Sequence, residues 1–171
     1  MSETFRMRTL TDIDWERWVP TDRATLLFVI EEEKRRILLI EKKRGLGAGK
    51  VNGPGGRLEP NESPIDCAHR EIEEELGVRA FGVTLHGELR FQFVDGYALH
   101  CHVFRGTGCS GEPIETDEAI PLWAALDAIP FDRMWADDRL WLPLLIAGER
   151  FSGRFIFDGD AMIDHVIVRS K

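Results

Sequence analysis

The sequence predicts a mixed α/β fold, in which antiparallel strands and two helices build an α+β or α/β/α sandwich. Three observations predict it: paired apolar runs separated by polar turns, two segments with helical apolar spacing, and a length of 171 residues that suits one domain with its own core. The sequence shows neither an internal repeat nor a long linker. We therefore expect residues 1–20 to be an N-terminal extension and residues 21–171 to be one domain.

The chain begins with a polar, irregular segment in which Trp15 and Trp18 are the candidate anchors. A predicted hairpin follows, because apolar runs at residues 25–30 and 37–40 flank a charged turn. Residues 44–57, RGLGAGKVNGPGGR, contain six glycines and one proline. This composition predicts a long structured loop rather than a strand or a helix.

The segment SPIDCAHREIEEEL predicts a helix with defined ends. Ser63 suits the N-cap position, Pro64 suits the first helical position, and Asp66 completes a capping-box pattern. Gly77 is expected to end the helix, since glycine adopts the left-handed conformation of a helix C-terminus without strain. An apolar stripe at helical spacing is expected to face the core, and it consists of Ile65, Ala68, Ile72 and Leu76.

The second half of the chain is predicted to add strands and a second helix. The first two of these strands are expected to be joined by a turn at Asp95-Gly96. In chain order, the predicted elements are strands at residues 83–94 and 98–104, a loop with a short strand at 112–126, a helix that begins near Asp137, and strands at 154–157 and 162–168.

The net charge and the cysteine content indicate which binding partners and which cellular compartment to expect. The net charge of −8 argues against non-specific binding to nucleic acid or to an anionic membrane. Three cysteines without a CxxC pair indicate a reducing compartment. The sequence shows no signal-peptide pattern and no apolar run as long as a membrane span, so a cytoplasmic protein is expected. The five histidines show no ligand spacing, so no zinc site is expected.

The predicted helix is unusually acidic, with four carboxylates in residues 71–75. On a helix, Glu71, Glu74 and Glu75 share one face, beside the apolar stripe. Three converging carboxylates suit a hard divalent cation such as Mg²⁺. The alternative is a solvated acidic face balanced by Arg70, and the spacing of the glutamates alone leaves both interpretations open.

A longer pattern surrounds these glutamates. Nine positions recur at fixed spacing over 23 residues: Gly56, Glu62, Arg70-Glu71-Ile72, Glu74-Glu75 and Gly77-Val78. In this segment the chain resembles the Nudix hydrolases, whose Nudix box has every one of these positions.

The resemblance implies an α/β/α sandwich with a mixed sheet and a loop–helix–loop catalytic motif. It also implies Mg²⁺-dependent cleavage of a nucleoside diphosphate linked to another moiety, with Mn²⁺ as an alternative ion. Glu71, Glu74 and Glu75 match the catalytic metal ligands of the family. Arg70 and Glu62 match the pair that holds the catalytic helix against its loop.

Further segments, among them GELRFQF and IPFDRMWADDRLWLPLL, are similar to the oxidised-purine nucleoside triphosphatase branch of this family. That similarity implies that Asn52, Asp137 and Asp138 bind the base edge and that Trp135 packs on the purine. It implies two more metal ligands, the Glu118 carboxylate and the Gly55 carbonyl. The remaining implied substrate-binding residues are Thr25, Lys42, Pro54, Gly55, Gly56, Arg57, Phe91 and Phe93.

Several of these roles have structural alternatives. Asp137 and Asp138 also suit the N-terminus of a helix, where a carboxylate caps the backbone. Glu118 also suits an exposed loop, and Lys42 also suits a solvated strand end. Other aromatic side chains are expected to lie in the core rather than in the site, namely Trp123, Trp141, Phe155 and Phe157.

The base preference is less defined than the reaction. Leu46, Val51 and Leu99 stand where the branch has phenylalanine, tryptophan and methionine. We expect a monomeric enzyme that converts oxidised purine nucleoside triphosphates, of the 8-oxo-dGTP and 2-hydroxy-dATP type, to the monophosphate and pyrophosphate. The alternatives are another Nudix substrate (a methylated purine triphosphate, a nucleotide sugar or an RNA 5′ end) and a non-catalytic nucleotide-binding module.

Overall fold

A computed structural model describes residues 7–170 of the chain; Lys171 and the first six residues of the predicted extension lie outside it. A nine-stranded mixed sheet forms the centre of the molecule, and one helix packs on each of its faces. A separate pair of short strands forms a second sheet. The predicted α/β/α sandwich is therefore confirmed.

The structure divides the chain into eleven strands and two α-helices over the described residues. They are β1 (Asp22–Glu31), β2 (Arg36–Lys42), β3 (Val51–Asn52), β4 (Gly55–Arg57), α1 (Pro64–Leu76), β5 (Arg79–Phe81), β6 (Thr84–Phe93), β7 (Ala98–Gly106), β8 (Gly108–Ser110), β9 (Ala119–Ala125), α2 (Asp138–Ile146), β10 (Arg150–Asp158) and β11 (Ala161–Ser170).

The strands of the large sheet are arranged in the order β11-β10-β6-β7-β1-β2-β3, with β4 also paired to β1 and β9 to β2. Two of the pairings are parallel, β1 with β7 and β6 with β10, and the others are antiparallel. This order makes β1 an inner strand with neighbours on both sides. A strand that is covered on both faces needs apolar residues at successive positions, and the run LLFVI in β1 meets this need.

Side chains alternate across β1 and contribute to two separate cores. Phe28 and Ile30 belong to the core under α2. Leu27 and Val29 belong to the core under α1. Each helix is thus held to the sheet by its own apolar cluster.

The boundaries of α1 agree with the sequence prediction. Ser63 Oγ accepts a hydrogen bond from the backbone N–H of Asp66 at 3.3 Å, and Gly77 ends the helix at φ +69°. Ala68, Ile72 and Leu76 are buried. The prediction for Ile65 is wrong, since this side chain is 41% exposed. Ile65 has the angular position of Ile72 but lies in the first turn, outside the apolar cluster that covers the later turns.

The prediction of an uninterrupted loop at residues 44–57 is wrong, because this segment contains β3 and β4. Glycine normally weakens a strand, but here it permits a close backbone approach. A Cβ atom at Gly55 would lie 1.9 Å from the carbonyl oxygen of Thr25 on β1. Only a residue without a side chain fits this pairing. β5 and β8 also lie outside the predicted elements, since each is only three residues long.

The described part of the N-terminal extension packs against the sheet. Trp18 Nε1 donates a hydrogen bond to Gln92 Oε1 at 2.9 Å, and the Leu10 N–H donates to Asp164 at 2.8 Å. The Trp15 ring lies 5.2 Å from the guanidinium of Arg154. The extension is therefore attached to β6, β10 and β11. In residues 7–170, neither α1 nor α2 combines the length and apolar character that a membrane crossing requires.

Candidate active site

A cavity of about 670 Å³ opens between α1, the glycine-rich segment, the sheet and the start of α2. Its wall combines two groups of side chains. One group is charged and comes from α1, β2 and the loop before β9; the other is largely aromatic and comes from β6, β10 and the segment leading into α2. A ligand that fills the cavity therefore meets a charged region and an apolar, flat-walled region.

The charged region contains three carboxylates that converge. Glu71, Glu75 and Glu118 each contribute an oxygen, and these oxygens lie within 4.8 Å of one another. Glu71 and Glu75 are one helical turn apart on α1, while Glu118 precedes β9 and arrives through its pairing with β2. Glu74 differs, because its half-exposed carboxylate bonds to Arg70 at 3.1 Å instead.

Glu75 is the most constrained of these carboxylates. It is 4% exposed; its Oε1 accepts a hydrogen bond from the Gly55 N–H at 3.4 Å, and its Oε2 has no partner in the described part of the chain. Burial, together with repulsion from Glu71, raises the pKa of Glu75 to about 9. Burial also raises the pKa of Glu71.

These observations test whether the site suits a divalent cation. A buried carboxylate oxygen without a partner is costly, and hard divalent cations prefer oxygen ligands. A dication beside Glu71, Glu75 and Glu118 would satisfy the unpaired Glu75 oxygen and hold the carboxylates ionised. The donor set therefore fits a hard divalent metal ion.

Arg70 connects this group to the loop before α1. Its Nε and Nη2 donate to the two oxygens of Glu62 at 2.7 and 2.8 Å, and Nη2 also donates to the Arg57 carbonyl at 3.1 Å. Its Nη1 donates to Glu71 at 2.9 Å. The Arg70 guanidinium lowers the pKa of Glu62 to about 2. The paired bonds hold Arg70 in one orientation, which in turn orients the Glu71 carboxylate.

Lys42 adds a positive charge to the same region. Burial lowers its pKa, while the nearby carboxylate of Glu75 opposes that change. Arg57 also lines the cavity. Both cations lie where a polyanionic ligand would approach the carboxylates.

The aromatic region is built around Trp135. Its ring meets Phe93 and Phe157 edge-on, with centroids 6.3 and 5.6 Å apart. Asn52 on β3 lines the same cavity, and a Cβ atom at Gly47 would lie 2.8 Å from Trp135 Nε1. The glycine-rich segment therefore packs directly against the tryptophan. An aromatic wall of this kind binds planar rings.

Asp137 and Asp138 are buried beside this wall. Trp141 Nε1 donates to Asp137 Oδ2 at 2.7 Å. Burial raises the pKa of Asp137 to about 6, and burial with repulsion from Asp137 raises the pKa of Asp138 well above its ordinary value. At neutral pH the pair can therefore present one accepting carboxylate and one donating carboxyl group. The alternative of helix capping is wrong for Asp137, whose side chain makes no capping bond in the described structure.

The structure brings most of the sequence-predicted substrate residues to this one cavity. Within residues 7–170, its wall does not include Pro54, Glu62 or Glu74. The Pro54 carbonyl instead accepts a hydrogen bond from the Leu27 N–H at 2.8 Å. The predicted residues on the wall are Thr25, Lys42, Asn52, Gly55, Gly56, Arg57, Arg70, Glu71, Glu75, Phe91, Phe93, Glu118, Trp135, Asp137 and Asp138.

Some residues of the wall were not predicted as site residues. Trp141 and Phe157 are buried, as expected for core residues, but each also borders the cavity. Tyr97 and Cys101 border the cavity as well. Side chains two residues apart on a strand share a face, so the pocket position of Leu99 could have predicted that Cys101 also faces the cavity. Among the positions where the sequence departs from the branch, Leu46 and Leu99 line the cavity, whereas Val51 lies in the core. His100 and Cys101 also depart from the branch, and of these two only Cys101 lines the cavity in the described structure.

Comparison with known proteins agrees with this architecture. Residues 20–145 match the NUDIX domain. The chain is 42% identical over 142 residues to the oxidized purine nucleoside triphosphate hydrolase of Danio rerio, covering 82% of this chain and 91% of that protein. It is 39% identical over 143 residues to the protein of the same name from Mus musculus, covering 82% and 90%. A MutT protein from Bacillus halodurans has the same fold, with a TM-score of 0.76 at 24% identity over 85% of this chain and 97% of that one.

The chain therefore belongs to the Nudix family of hydrolases, as the box pattern predicts. Two of its relatives in that family carry the name oxidized purine nucleoside triphosphate hydrolase.

Proposed function

We propose that this enzyme hydrolyses oxidised purine nucleoside triphosphates, such as 8-oxo-dGTP and 2-hydroxy-dATP, to the nucleoside monophosphate and pyrophosphate. The observation that carries the proposal is the presence, in one cavity, of the carboxylate group Glu71/Glu75/Glu118 and of the buried pair Asp137-Asp138 beside Trp135. The names of the relatives from Danio rerio and Mus musculus support the same substrate class. The role would be removal of damaged nucleotides from the precursor pool.

Base recognition follows from the chemistry of the aromatic region. Trp135 offers its ring to the purine, and Asn52, Asp137 and Asp138 offer donors and acceptors to the base edge. Oxidation at C8 of guanine replaces the N7 acceptor by an N–H donor and adds a carbonyl oxygen. A pair that holds one shared proton can match different donor and acceptor patterns, so it suits more than one oxidised purine.

Hydrolysis follows from the chemistry of the charged region. Glu71, Glu75 and Glu118 would hold Mg²⁺, or Mn²⁺ as the alternative, and the ion would neutralise the triphosphate and acidify the attacking water. Lys42 and Arg57 add positive charge along the phosphates. A carboxylate of the group accepts the proton as the new bond from water oxygen to phosphorus forms and the bond to pyrophosphate breaks. Arg70 keeps Glu71 in position.

The test is a comparison of kcat/KM with Mg²⁺ across a substrate panel. The panel contains 8-oxo-dGTP, 2-hydroxy-dATP, dGTP, a methylated purine triphosphate, a nucleotide sugar and a 5′-triphosphate RNA. We expect the oxidised purines to be preferred over dGTP by about tenfold or more, since one or two edge contacts contribute about 1–3 kcal/mol. Equal kcat/KM values for 8-oxo-dGTP and dGTP would reject the sanitising role but leave the Nudix reaction.

The remaining expectations are part of the same proposal. We propose a cytoplasmic monomer without nucleic-acid or membrane partners, in which residues 1–20 are an addition to a catalytic domain of residues 21–171. The net charge of −8 argues against nucleic-acid and membrane partners, and the three unpaired cysteines support a reducing compartment such as the cytoplasm. Light scattering during size-exclusion chromatography measures the oligomeric state, and a dimer mass would contradict the proposal.

A further inference from the structure

We propose that Glu88, His100 and His102 form a second metal site, for a transition-metal ion of the Zn²⁺ class, apart from the nucleotide cavity. His100 and His102 alternate on β7 with Leu99 and Cys101, which line that cavity. Their side chains therefore leave the other face of the strand. None of Glu88, His100 and His102 belongs to the cavity wall in the described structure.

Strand pairing brings the three side chains together. β6 and β7 are antiparallel, and Glu88 is directly opposite His102. One potential ligand atom from each of the three residues lies within 4.8 Å of the other two. The spacing of the histidines alone does not indicate this group, because the carboxylate comes from the neighbouring strand. The sequence expectation of no zinc site rested on that spacing.

The distances between the groups leave space for an ion. His102 Nε2 lies 3.5 Å from Glu88 Oε1, and His100 Nε2 lies 3.8 Å from Glu88 Oε2. Both distances are longer than a good hydrogen bond. Tetrahedral Zn²⁺ with bonds of about 2.0–2.1 Å places its ligand atoms roughly 3.3–3.5 Å apart. The two observed distances, 3.5 and 3.8 Å, are close to this spacing.

The histidine nitrogens provide a second, independent observation. Both rings are buried, each with 8% of the residue exposed. His100 Nε2 and His102 Nδ1 are buried and have no hydrogen-bond partner among residues 7–170. Buried polar atoms in folded proteins are nearly always paired, so the unpaired His100 Nε2, the same nitrogen that faces Glu88, indicates a missing ligand. At His102 the nitrogen near Glu88 is Nε2, on the other side of the ring from the unpaired Nδ1. Burial also lowers the pKa of both histidines, which keeps them in the neutral form that binds metal.

Two arginines oppose a cation at this position. Arg90 Nη2 lies 3.6 Å from Glu88 Oε2, and the charges of Arg90 and Arg23 contribute to the lowered histidine pKa values. Arg90 is therefore the competing cation at the Glu88 carboxylate. On the side of the N-terminal extension, Trp18 packs edge-on against His100 with ring centroids 6.4 Å apart. This contact covers the cluster and makes the extension part of its surroundings.

The test uses the full chain in excess Mg²⁺, so that Mg²⁺ competes with Zn²⁺ for the separate carboxylates Glu71, Glu75 and Glu118. Calorimetric titration with Zn²⁺ should give one bound ion per chain, and Co²⁺ should give the visible absorption of a low-coordinate nitrogen and oxygen site. We expect His102→Asn and Glu88→Gln each to weaken Zn²⁺ binding at least tenfold. We expect Arg90→Gln to tighten it, because the competing cation is removed.

His165→Gln is the matched control, since His165 is exposed on β11 and should leave Zn²⁺ binding unchanged. Circular dichroism and Mg²⁺-dependent hydrolysis without zinc should match the parent protein for every variant, which separates this proposal from the proposed function. Failure of the parent to bind Zn²⁺ in excess Mg²⁺, or equal binding by His102→Asn and Glu88→Gln, would overturn it.

Discussion

Gly56 lies directly against Glu71: a Cβ atom at Gly56 would be 2.4 Å from the carboxyl carbon of Glu71. The missing side chain thus leaves the space that the Glu71 carboxylate occupies beside Glu75 and Arg70. The neighbouring glycine has a different environment, because a Cβ atom at Gly55 would meet the backbone of Thr25. Substitution of each glycine in turn therefore distinguishes an effect on catalysis, at Gly56, from an effect on folding, at Gly55.

Gly56→Ala should reduce kcat by about a hundredfold with little change in melting temperature. The methyl group displaces only the flexible end of Glu71, but a shift of about 1 Å in a catalytic group has an effect of this size. Gly55→Ala should instead destabilise the fold by about 1–3 kcal/mol, because rigid backbone must move. Hydrolysis rates and thermal melts of both variants check this. A fully active Gly56→Ala protein would contradict the assigned role of Glu71.

Glu62→Gln should destabilise the protein in a pH-dependent manner. Arg70 holds the pKa of Glu62 at about 2, below its ordinary value of 4.5. The ionised pair therefore stabilises the folded state above about pH 4.5, and this contribution is lost as the pH falls towards 2. The difference in melting temperature between the parent and Glu62→Gln should be largest near pH 7 and shrink below pH 4.5. A difference that does not change with pH would show that the charge of Glu62 is irrelevant.

Asp138→Asn should have the opposite pH dependence. The pKa of Asp138 is raised in the folded state, so the folded protein binds a proton that the unfolded chain releases above about pH 3.8. The stability of the parent therefore falls as the pH rises above that value. Asparagine has no proton to lose, so Asp138→Asn should melt higher than the parent at pH 8, and the two should converge below about pH 4.

The same pair predicts a kinetic asymmetry. Asparagine retains a donor at position 138 but removes the accepting carboxylate at position 137. Asp137→Asn should therefore lower kcat/KM for 8-oxo-dGTP more than Asp138→Asn does. Steady-state kinetics of both variants at pH 7.5 measure the ratio. An equal loss in both would mean that the two carboxyl groups do not divide the donor and acceptor roles.

Trp135→Ala should raise KM for oxidised purine nucleotides by about tenfold to a hundredfold, since base–aromatic stacking contributes about 1–3 kcal/mol. Trp123→Ala is the matched control, because Trp123 packs under the Arg36 guanidinium at 3.9 Å and does not line the described cavity. This control should change stability but not KM. A KM for Trp135→Ala equal to that of the parent would exclude Trp135 from base binding.

The carboxylates of the site differ in how far the sequence predicts their positions. Glu71 and Glu75 are four residues apart on one capped helix, so helical geometry alone places them together. Glu118 is more than forty residues further along the chain, and only the pairing of β9 with β2 brings it to the same point. Glu74 bonds to Arg70, one helical turn earlier on the same helix, so this contact is local as well, although the spacing of Glu74 suits a metal ligand equally well.

Close backbone approach and cross-strand pairing explain the other features that the structure shows and the sequence does not predict. The glycine-rich segment has the composition of a loop, yet Gly55 pairs with β1 because nothing separates the two backbones. The cluster of Glu88, His100 and His102 spans the predicted pair β6 and β7, but only the register of that pairing, with Glu88 opposite His102, brings the carboxylate to the histidines. Neither arrangement has a local periodic signal.

By itself, the sequence determined the family, the catalytic helix and the type of reaction, because these depend on residues within one short segment whose geometry is local. The tertiary structure decided which carboxylates converge and how Trp135 and the Asp137-Asp138 pair reach the same cavity. It also decided which side chains are buried away from solvent. Burial and long-range pairing set those properties, and both arise only when distant segments pack together.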